Sequence, residues 1–139
     1  MINPAPTSKI DPAIARGNLI SADAAQVVLS FPNTNYQLHL VPATPINLER
    51  GKRILGTIAL QAKRIDTVGT GGEFIEPVYG RPRRVQGTVI RVQNSSIVID
   101  AGVPIHATLT DPRQAVDQFQ PGQLVSFDAL PGATFTPTA

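Results

Sequence analysis

Short aliphatic runs, separated by glycine, proline and small polar residues, recur along the whole chain. Each run has the length of a β-strand and is too short for most helices. They lie at 17–22, 26–31, 35–41, 52–60, 87–92, 96–100, 104–110 and 123–129. The chain also contains 13 prolines and 11 glycines, which interrupt it too often for long helices. The pattern therefore predicts an all-β protein of the sandwich or barrel type.

The first half of this pattern resembles the second half. The segment GNLISADAAQVVLSF, which begins at Gly17, aligns with GTVIRVQNSSIVIDA, which begins at Gly87. Further on, each half continues with a strand, a proline-bearing excursion, a glycine (Gly51 or Gly122) and another strand. Self-similarity of this kind indicates an internal duplication, that is, two related OB-like or cradle-like small barrel units. A chance likeness between two generic β meanders is the alternative.

This interpretation divides the chain into four parts. They are an N-terminal extension (1–16), a first β-barrel unit (17–66), a glycine-rich hairpin with a basic connector (67–86) and a second β-barrel unit (87–139). We expect a β-hairpin between strands at 57–65 and 73–79 to lead from one unit to the other, with its tip at Gly69 to Gly72.

Two proline-bearing segments are expected to form short helical turns. The segment DPRQAVDQF begins with Asp111, which can cap free amide groups, and Pro112 suits the first helical position. It is predicted to form one or two helical turns. Thr44 and Pro45 offer a similar start to TPINLERG, which ends at Gly51.

Some strands are apolar on both faces. Residues 27–29 and 97–99 are consecutive aliphatics, which is typical of strands that are buried on two sides. One face must fill a barrel, and the other must be covered by the partner unit or by another subunit. The sequence therefore predicts intimate packing of the two units or a homo-oligomer.

Composition excludes several classes of protein. With 42% hydrophobic and 16% charged residues, the chain is too apolar to be disordered. It has no cysteine, so disulfides and thiolate metal ligands are excluded. It contains no apolar run near the ~20 residues that span a bilayer, and its first residues do not read as a signal peptide. We therefore expect a soluble, cytoplasmic protein without a membrane partner.

The formal net charge of +2 conceals a basic middle. From Arg50 to Arg91 there are nine basic and three acidic residues, whereas the rest of the chain has three basic and seven acidic ones. Such asymmetry suggests an anionic partner. A solvated basic face without any partner is the alternative.

The residues that catalysis needs do not occur in suitable combinations. His39 and His106 each lie within a predicted strand, without a carboxylate at strand spacing, and are interpreted as half-buried structural residues. The serines form no nucleophile elbow, and no Cys/His cluster could bind a metal. The sequence thus predicts a protein that is not an enzyme and has no catalytic residues, metal or cofactor.

The segment GGEFIEPVYGRPRRVQG, from Gly71 to Gly87, carries the strongest candidate for binding. Arginines recognise phosphates with planar, bidentate geometry, and an exposed aromatic ring can stack on a base. The predicted set that binds nucleic acid or another anion is Lys63, Arg64, Tyr79, Arg81, Arg83, Arg84 and Arg91. Two alternatives are a solvated connector, and a connector whose three arginines pair with Glu73, Glu76 or Asp66.

The second half also resembles a known family. Its residues follow the pattern of the small OB-like barrels of the transport-associated and Mop (molybdate-binding-like) type. The matching positions are Gly87, Val89, Gly102, Ile105, Ala107, Thr110, Pro121, Gly122 and Val125. The resemblance implies a binding barrel. The Ser-Ala-Arg-Asn-like segment of molybdate-binding members has no matching serine here, so a molybdate site is not carried over.

We therefore expect a non-catalytic binding module whose partner is nucleic acid or another polyanion. Two alternatives stay open at this point. One is a structural or assembly protein that forms homo-oligomers through apolar strand faces, and the other is a barrel that binds a small oxyanion.

Overall fold

Strands dominate the computed structural model, which describes residues 11–138. They are β1 (Ala15–Ala22), β2 (Val27–Ser30), β3 (Gln37–Pro42), β4 (Arg53–Ala62), β5 (Asp66–Thr67), β6 (Phe74–Glu76), β7 (Tyr79–Gly80), β8 (Arg84–Val92), β9 (Ser96–Asp100), β10 (Pro104–Leu109), β11 (Leu124–Asp128) and β12 (Thr134–Pro137). Between residues 11 and 138 the one helical element is a 3-10 turn at Val116–Gln118. The prediction of an all-β protein is confirmed.

Five of the strands close into a barrel. β1 pairs with β2, β2 with β3, β3 with β12, β12 with β4, and β4 pairs with β1 again. The β3–β12 pair is parallel and the others are antiparallel. A barrel was predicted and is confirmed, but β12 enters it from the far end of the chain.

A second group of strands extends from β4. The order is β4, β10, β9, β8 and β11, and β4 pairs with β10 in parallel. An antiparallel bridge between Ala62 and Ala129 brings the chain after β11 back to the end of β4. The Lys63 N–H also donates to the Asp128 carbonyl at 2.9 Å. Short strands β5 and β6 add to β11 and β8.

The strand β4 belongs to both groups. Its residues alternate in burial, and Ile54, Gly56, Ile58, Leu60 and Ala62 form the buried side. The four of these residues with side chains belong to one hydrophobic cluster that also includes residues from both halves of the chain, such as Leu29 and Ile99. Burying one large aliphatic side chain stabilises a fold by about 1.5–3 kcal/mol. One continuous core therefore holds the two strand groups together.

The predicted hairpin between 57–65 and 73–79 is wrong. Both edges of β4 are already paired, with β1 and β10 along one edge and with β12 along the other. β6 pairs instead with β8 through Phe74–Gln86, Ile75–Val85 and Glu76–Arg84. The hairpin of this region thus spans residues 74–86. Its loop consists of residues 77–83, which form the basic connector.

The predicted helical turns are largely replaced by irregular turns. Residues 44–50 contain no helical turn, and the segment from Asp111 forms only the 3-10 turn. The side chain of Gln114 is engaged elsewhere. Its amide oxygen accepts from the Ile65 N–H at 2.9 Å, and its amide nitrogen donates to the Ile65 carbonyl at 2.6 Å. This side chain therefore attaches the segment to the chain after β4.

The strands with consecutive aliphatics are buried within the chain itself. Val28 is 6% exposed and Val98 is 0% exposed, although neither belongs to the main core cluster. Val28 lies opposite His39, and Val98 lies opposite His106. Residues 11–14 contact the second of these outer faces, because the Ala13 carbonyl lies 2.9 Å from His106 Nε2. The apolar outer faces from which a homo-oligomer was predicted are thus covered.

Two further expectations concern the ends and the membrane. The first ten residues of the predicted N-terminal extension lie outside the described residues, and β1 begins within its last residues, at Ala15. In the part of the chain that is described, no helix has the length and apolarity needed to cross a membrane.

Gly56 tests the close packing at the barrel junction. A Cβ at this position would collide with the ring of Phe135 and the carbonyl oxygen of Thr136. We expect Gly56→Ala to lower the free energy of unfolding by about 1–3 kcal/mol through overpacking. Urea denaturation measures the change. Gly69→Ala is the control, because no atom lies within 4 Å of the added Cβ. Equal stability of the two variants would contradict the described packing.

Candidate functional site

A surface groove of about 640 Å³ lies beside the basic connector. It lies between the loop of the 74–86 hairpin and the chain that follows β11. Its lining residues are Lys63, Pro77, Tyr79, Gly80, Arg81, Pro82, Arg83, Asp128, Ala129 and Pro131. Four members of the predicted set, Lys63, Tyr79, Arg81 and Arg83, are therefore brought together. We call this surface the basic groove.

The connector is fixed by its backbone and by a buried proline. The Arg83 N–H donates to the Glu76 carbonyl at 2.8 Å, and the Arg83 carbonyl accepts from the Ala129 N–H at 2.8 Å. Pro82 is buried, whereas Arg81 and Arg83 on either side of it are exposed. Residues 81–83, which we call the basic strap, thus hold a proline inward and present two guanidinium groups to solvent.

Tyr79 presents an aromatic ring at the same groove. It belongs to β7, which pairs in parallel with the start of β3 through Gln37 and Leu38. The ring is 64% exposed and meets the ring of His39 edge-on, with 5.1 Å between ring centroids and 64° between the ring planes. Tyr79 is therefore positioned by the sheet and remains accessible on much of its surface.

One carboxylate occurs among the described residues that line the groove, that of Asp128. It accepts from Arg84 Nη1 at 2.8 Å, while Arg84 Nη2 donates to the Ser126 hydroxyl at 2.8 Å. The pair follows from the sheet, because β8 and β11 place Arg84 opposite Asp128. Arg84 thus neutralises the acid, which leaves the charges of Lys63, Arg81 and Arg83 unopposed. Within residues 11–138 none of these three forms an ion pair.

The other predicted cations have partners outside the groove. Arg64 Nε donates to Asp66 Oδ1 at 3.0 Å. Arg91 Nη2 donates to Asp11 Oδ1 at 2.8 Å, and Arg91 Nη1 donates to Asp11 Oδ2 at 3.3 Å. Neither arginine lines the basic groove. The predicted set is thus divided between the groove and three ion pairs, Arg64–Asp66, Arg84–Asp128 and Arg91–Asp11. Of the three connector arginines, Arg84 alone pairs with a carboxylate among residues 11–138, and that carboxylate is none of the three that the sequence suggested.

Both histidines are half-buried in strands, as the sequence indicates. His106 Nε2 lies 2.9 Å from the Ala13 carbonyl. His39 Nε2 is buried and has no hydrogen-bond partner between residues 11 and 138. The described residues contain no group of three potential ligands that could hold a metal ion.

Some residues of the groove could not be recognised from the sequence. Asp128, Ala129 and Pro131 lie far from the connector along the chain and reach it only through the β8–β11 register. The regular geometry of a strand pair predicts the Arg84–Asp128 contact once β8 and β11 are known to be neighbours. The sequence alone does not show that they are neighbours.

No protein-family model, no curated protein and no solved structure matches this chain. The function is therefore argued from the geometry of the groove.

The Asp11–Arg91 pair gives a prediction for pH. Hydrogen bonds from the Arg91 guanidinium and then from the Ala13 N–H lower the pKa of Asp11 below its ordinary value of 3.8. The stabilisation from this contact is complete above that ordinary value and is lost as the pH falls through the lowered pKa of the folded state. Arg91→Gln should raise the pKa of Asp11 toward 3.8, as measured by carboxyl-carbon NMR.

Arg113→Gln is the matched control for this experiment. Its guanidinium lowers the pKa of Asp111 to about 2, so its loss should raise that pKa and leave Asp11 unchanged. An unaltered pKa of Asp11 in Arg91→Gln would show that the ion pair does not form in solution.

Proposed function

We propose that this protein is a non-catalytic module that binds the phosphate backbone of a nucleic acid in the basic groove. The observation that carries the proposal is the convergence of Lys63, Arg81 and Arg83, which form no ion pair within residues 11–138, with an exposed tyrosine on one concave surface. Fixed positive charges lower the cost of bringing phosphates together, and a concave surface brings several of them within reach of one strand.

The charge of the groove supports a phosphate ligand rather than a neutral one. Arg84 compensates the carboxylate of Asp128, so the cations are not quenched from within the groove. Arg81 and Arg83 are held by the basic strap, whose backbone is hydrogen-bonded at Arg83. The planar guanidinium itself is preorganised, so it loses less freedom for each hydrogen bond that it forms to a phosphate.

The size of the groove supports an extended ligand. A volume of about 640 Å³ is far larger than a single tetrahedral oxyanion requires, and the groove is open to solvent along the connector. Two or three phosphates with their sugars suit it better than one molybdate or sulfate ion.

The exposed face of Tyr79 offers a surface for stacking beside the cations. Proteins that bind nucleic acid without sequence readout combine a basic groove with such rings. Contacts to phosphates carry no sequence information, so we expect weak sequence selectivity and strong salt dependence.

The homo-oligomer remains a prediction without new support. It rests on the apolar outer faces of strands β2 and β9. The central residues of these faces, Val28 and Val98, are buried within the chain. The large apolar side chains that stay exposed in the described residues are those of Ile20, Val41, Leu48, Val78 and Tyr79.

We also infer that the two strand groups derive from one duplicated unit. The β1–β2 register shifts between Leu19 and Ser21, and the β8–β9 register shifts between Val89 and Arg91. The glycine turns support the same correspondence, because Gly51 N–H donates to the Leu19 carbonyl at 2.7 Å and Gly122 N–H donates to the Val89 carbonyl at 2.8 Å. The matching strands β3 and β10 also each form a parallel pair with a strand of the other half, β3 with β12 and β10 with β4.

Removal of the two strap arginines tests the proposed function. In Arg81→Gln/Arg83→Gln, two phosphate contacts are lost, so affinity for a labelled oligonucleotide should fall. The slope of log affinity against log salt should become shallower by about 1.4, at about 0.7 for each contact to a single strand. Fluorescence anisotropy at several salt concentrations measures both quantities.

Arg50→Gln/Arg53→Gln is the matched control. It removes the same two charges from exposed positions outside the groove, so the slope should stay near that of the natural chain. An equal loss of affinity in the two double variants would show that binding depends on the net charge of the protein and not on the groove. No binding by the natural chain at low salt would overturn the proposal.

A further inference from the structure

A second surface cavity, of about 340 Å³, shares Pro131 with the basic groove. Its lining includes Ala59 and Gln61 of β4, Thr108 of β10 and Thr134 of β12, with Pro131 on the turn that leads into β12. Three neighbouring strands of the sheet thus contribute to one surface. We call this cavity the β4 shelf.

The polar side chains of the β4 shelf lie on the outer face of the sheet. The buried residues of β4 alternate with Ala59 and Gln61, which lie on the opposite side of the strand. Thr108 is paired with Gln61, and Thr134 is paired with Ala59, so both threonines share that outer face. The shelf therefore presents one amide and two hydroxyl groups. Groups of this kind contact the phosphates and sugars of nucleic acids without contributing charge.

Lys63 connects the β4 shelf to the basic groove, which it lines. The Lys63 N–H donates to the Asp128 carbonyl at 2.9 Å, and the Leu130 N–H donates to the Gln61 carbonyl at 2.8 Å. The extended pairing of β4 therefore continues through Lys63. This places the Lys63 side chain on the same face as that of Gln61, about 7 Å farther along the strand. A chain molecule that contacts Lys63 in the groove thus has the shelf directly beside it.

The charges around the groove favour a path over the shelf for an anionic strand. Among the described residues that line the shelf, none is charged. Elsewhere on the groove wall, Pro77 follows Glu76, an exposed residue whose carboxylate forms no ion pair within residues 11–138. Phosphates are repelled by that carboxylate, and they meet no like charge over the shelf.

We propose that a single-stranded nucleic acid held in the basic groove continues past Pro131 onto the β4 shelf, where Gln61, Thr108 and Thr134 contact its phosphates and sugars. This inference rests on the proposed function. The strand is single because Tyr79 can stack only on a base whose face is uncovered. The groove supplies the charged contacts and the shelf supplies neutral ones, so the shelf acts only on strands that extend beyond the groove.

The test compares a labelled tetrathymidylate with a labelled decathymidylate at low salt. The three phosphodiesters of the shorter strand match the three cations of the groove, whereas the longer strand also reaches the shelf. Decathymidylate offers more binding registers as well, so the comparison depends on variants and not on the natural chain alone.

Thr108→Val/Thr134→Val removes both hydroxyl groups of the shelf and keeps the shape of the side chains. Affinity for decathymidylate should fall about three- to tenfold, because hydrogen bonds are lost, while affinity for tetrathymidylate is unchanged. The slope of log affinity against log salt should also stay unchanged, since neutral contacts release no counterions. This separates the shelf from the strap arginines, whose removal makes the slope shallower.

Thr57→Val/Thr136→Val is the matched control. Thr57 and Thr136 are paired on the same outer face of β4 and β12, but neither lines the groove or the shelf. This variant carries the same two replacements and should keep the natural affinity for both oligomers. Circular dichroism confirms that each variant is folded.

A measurement on the natural chain covers the case in which the shelf variant does not fold. The side-chain amide NMR signals of Gln61 should shift on addition of decathymidylate and not on addition of tetrathymidylate. Equal affinities of the two double variants for decathymidylate, or Gln61 signals that do not respond to it, overturn the shelf proposal alone. Failure of both oligomers to bind at low salt overturns the proposed function as well.

Discussion

The strand β4 is the element on which the rest of the structure depends. Its ten residues pair with β1 and β12 near the start and with β10 near the end, so that two strand groups share one backbone. The same face of this strand is buried from Ile54 to Ala62. A one-residue shift in its register would expose that face in both groups at once. The register of β4 therefore fixes the relative position of the two halves, and β12 locks it from the other edge.

The groove depends on this core through a buried tyrosine. The Tyr36 hydroxyl donates to the Ala101 carbonyl at 2.8 Å and accepts from the Ile75 N–H at 3.0 Å. Burial raises the pKa of Tyr36, which keeps its hydroxyl protonated and able to donate. Ile75 lies in β6, the strand that leads into the basic connector. One side chain from the first half thus holds the start of the connector against the second half, and the connector places the arginines.

The sequence predicted the strands well and their pairing poorly. Strand positions follow from local alternation and from glycine and proline, and these signals lie within a few residues. The contacts of β12 with β3 and β4 join residues that are distant along the chain, and no local pattern specifies them. For the same reason the 57–65 run was paired with the nearest strand candidate. In the structure, its edges are taken by strands that lie much later in the chain.

The candidate site divides along the same line. Arg81 and Arg83 were recognised because a cluster of arginines around a proline is visible in the sequence itself. The ion pairs of Arg84 and Arg91 could not be recognised in this way. Their partners, Asp128 and Asp11, are distant along the chain and come close only in the folded structure.

Residues 11–14 and the basic strap each cross the outer face of one strand group, and they differ in charge. Residues 11–14 contact the outer face of the second group, where Asp11 pairs with Arg91. In the proposed duplication, Arg81 corresponds to Asp11 and Ser21 corresponds to Arg91. The first group therefore has an arginine on the strap and a neutral serine on the strand, so the ion pair that balances one face has no counterpart on the other. The charge of Arg81 is therefore left to be balanced by solvent or by an external anion. Arg81 lines the basic groove, so this uncompensated charge lies there.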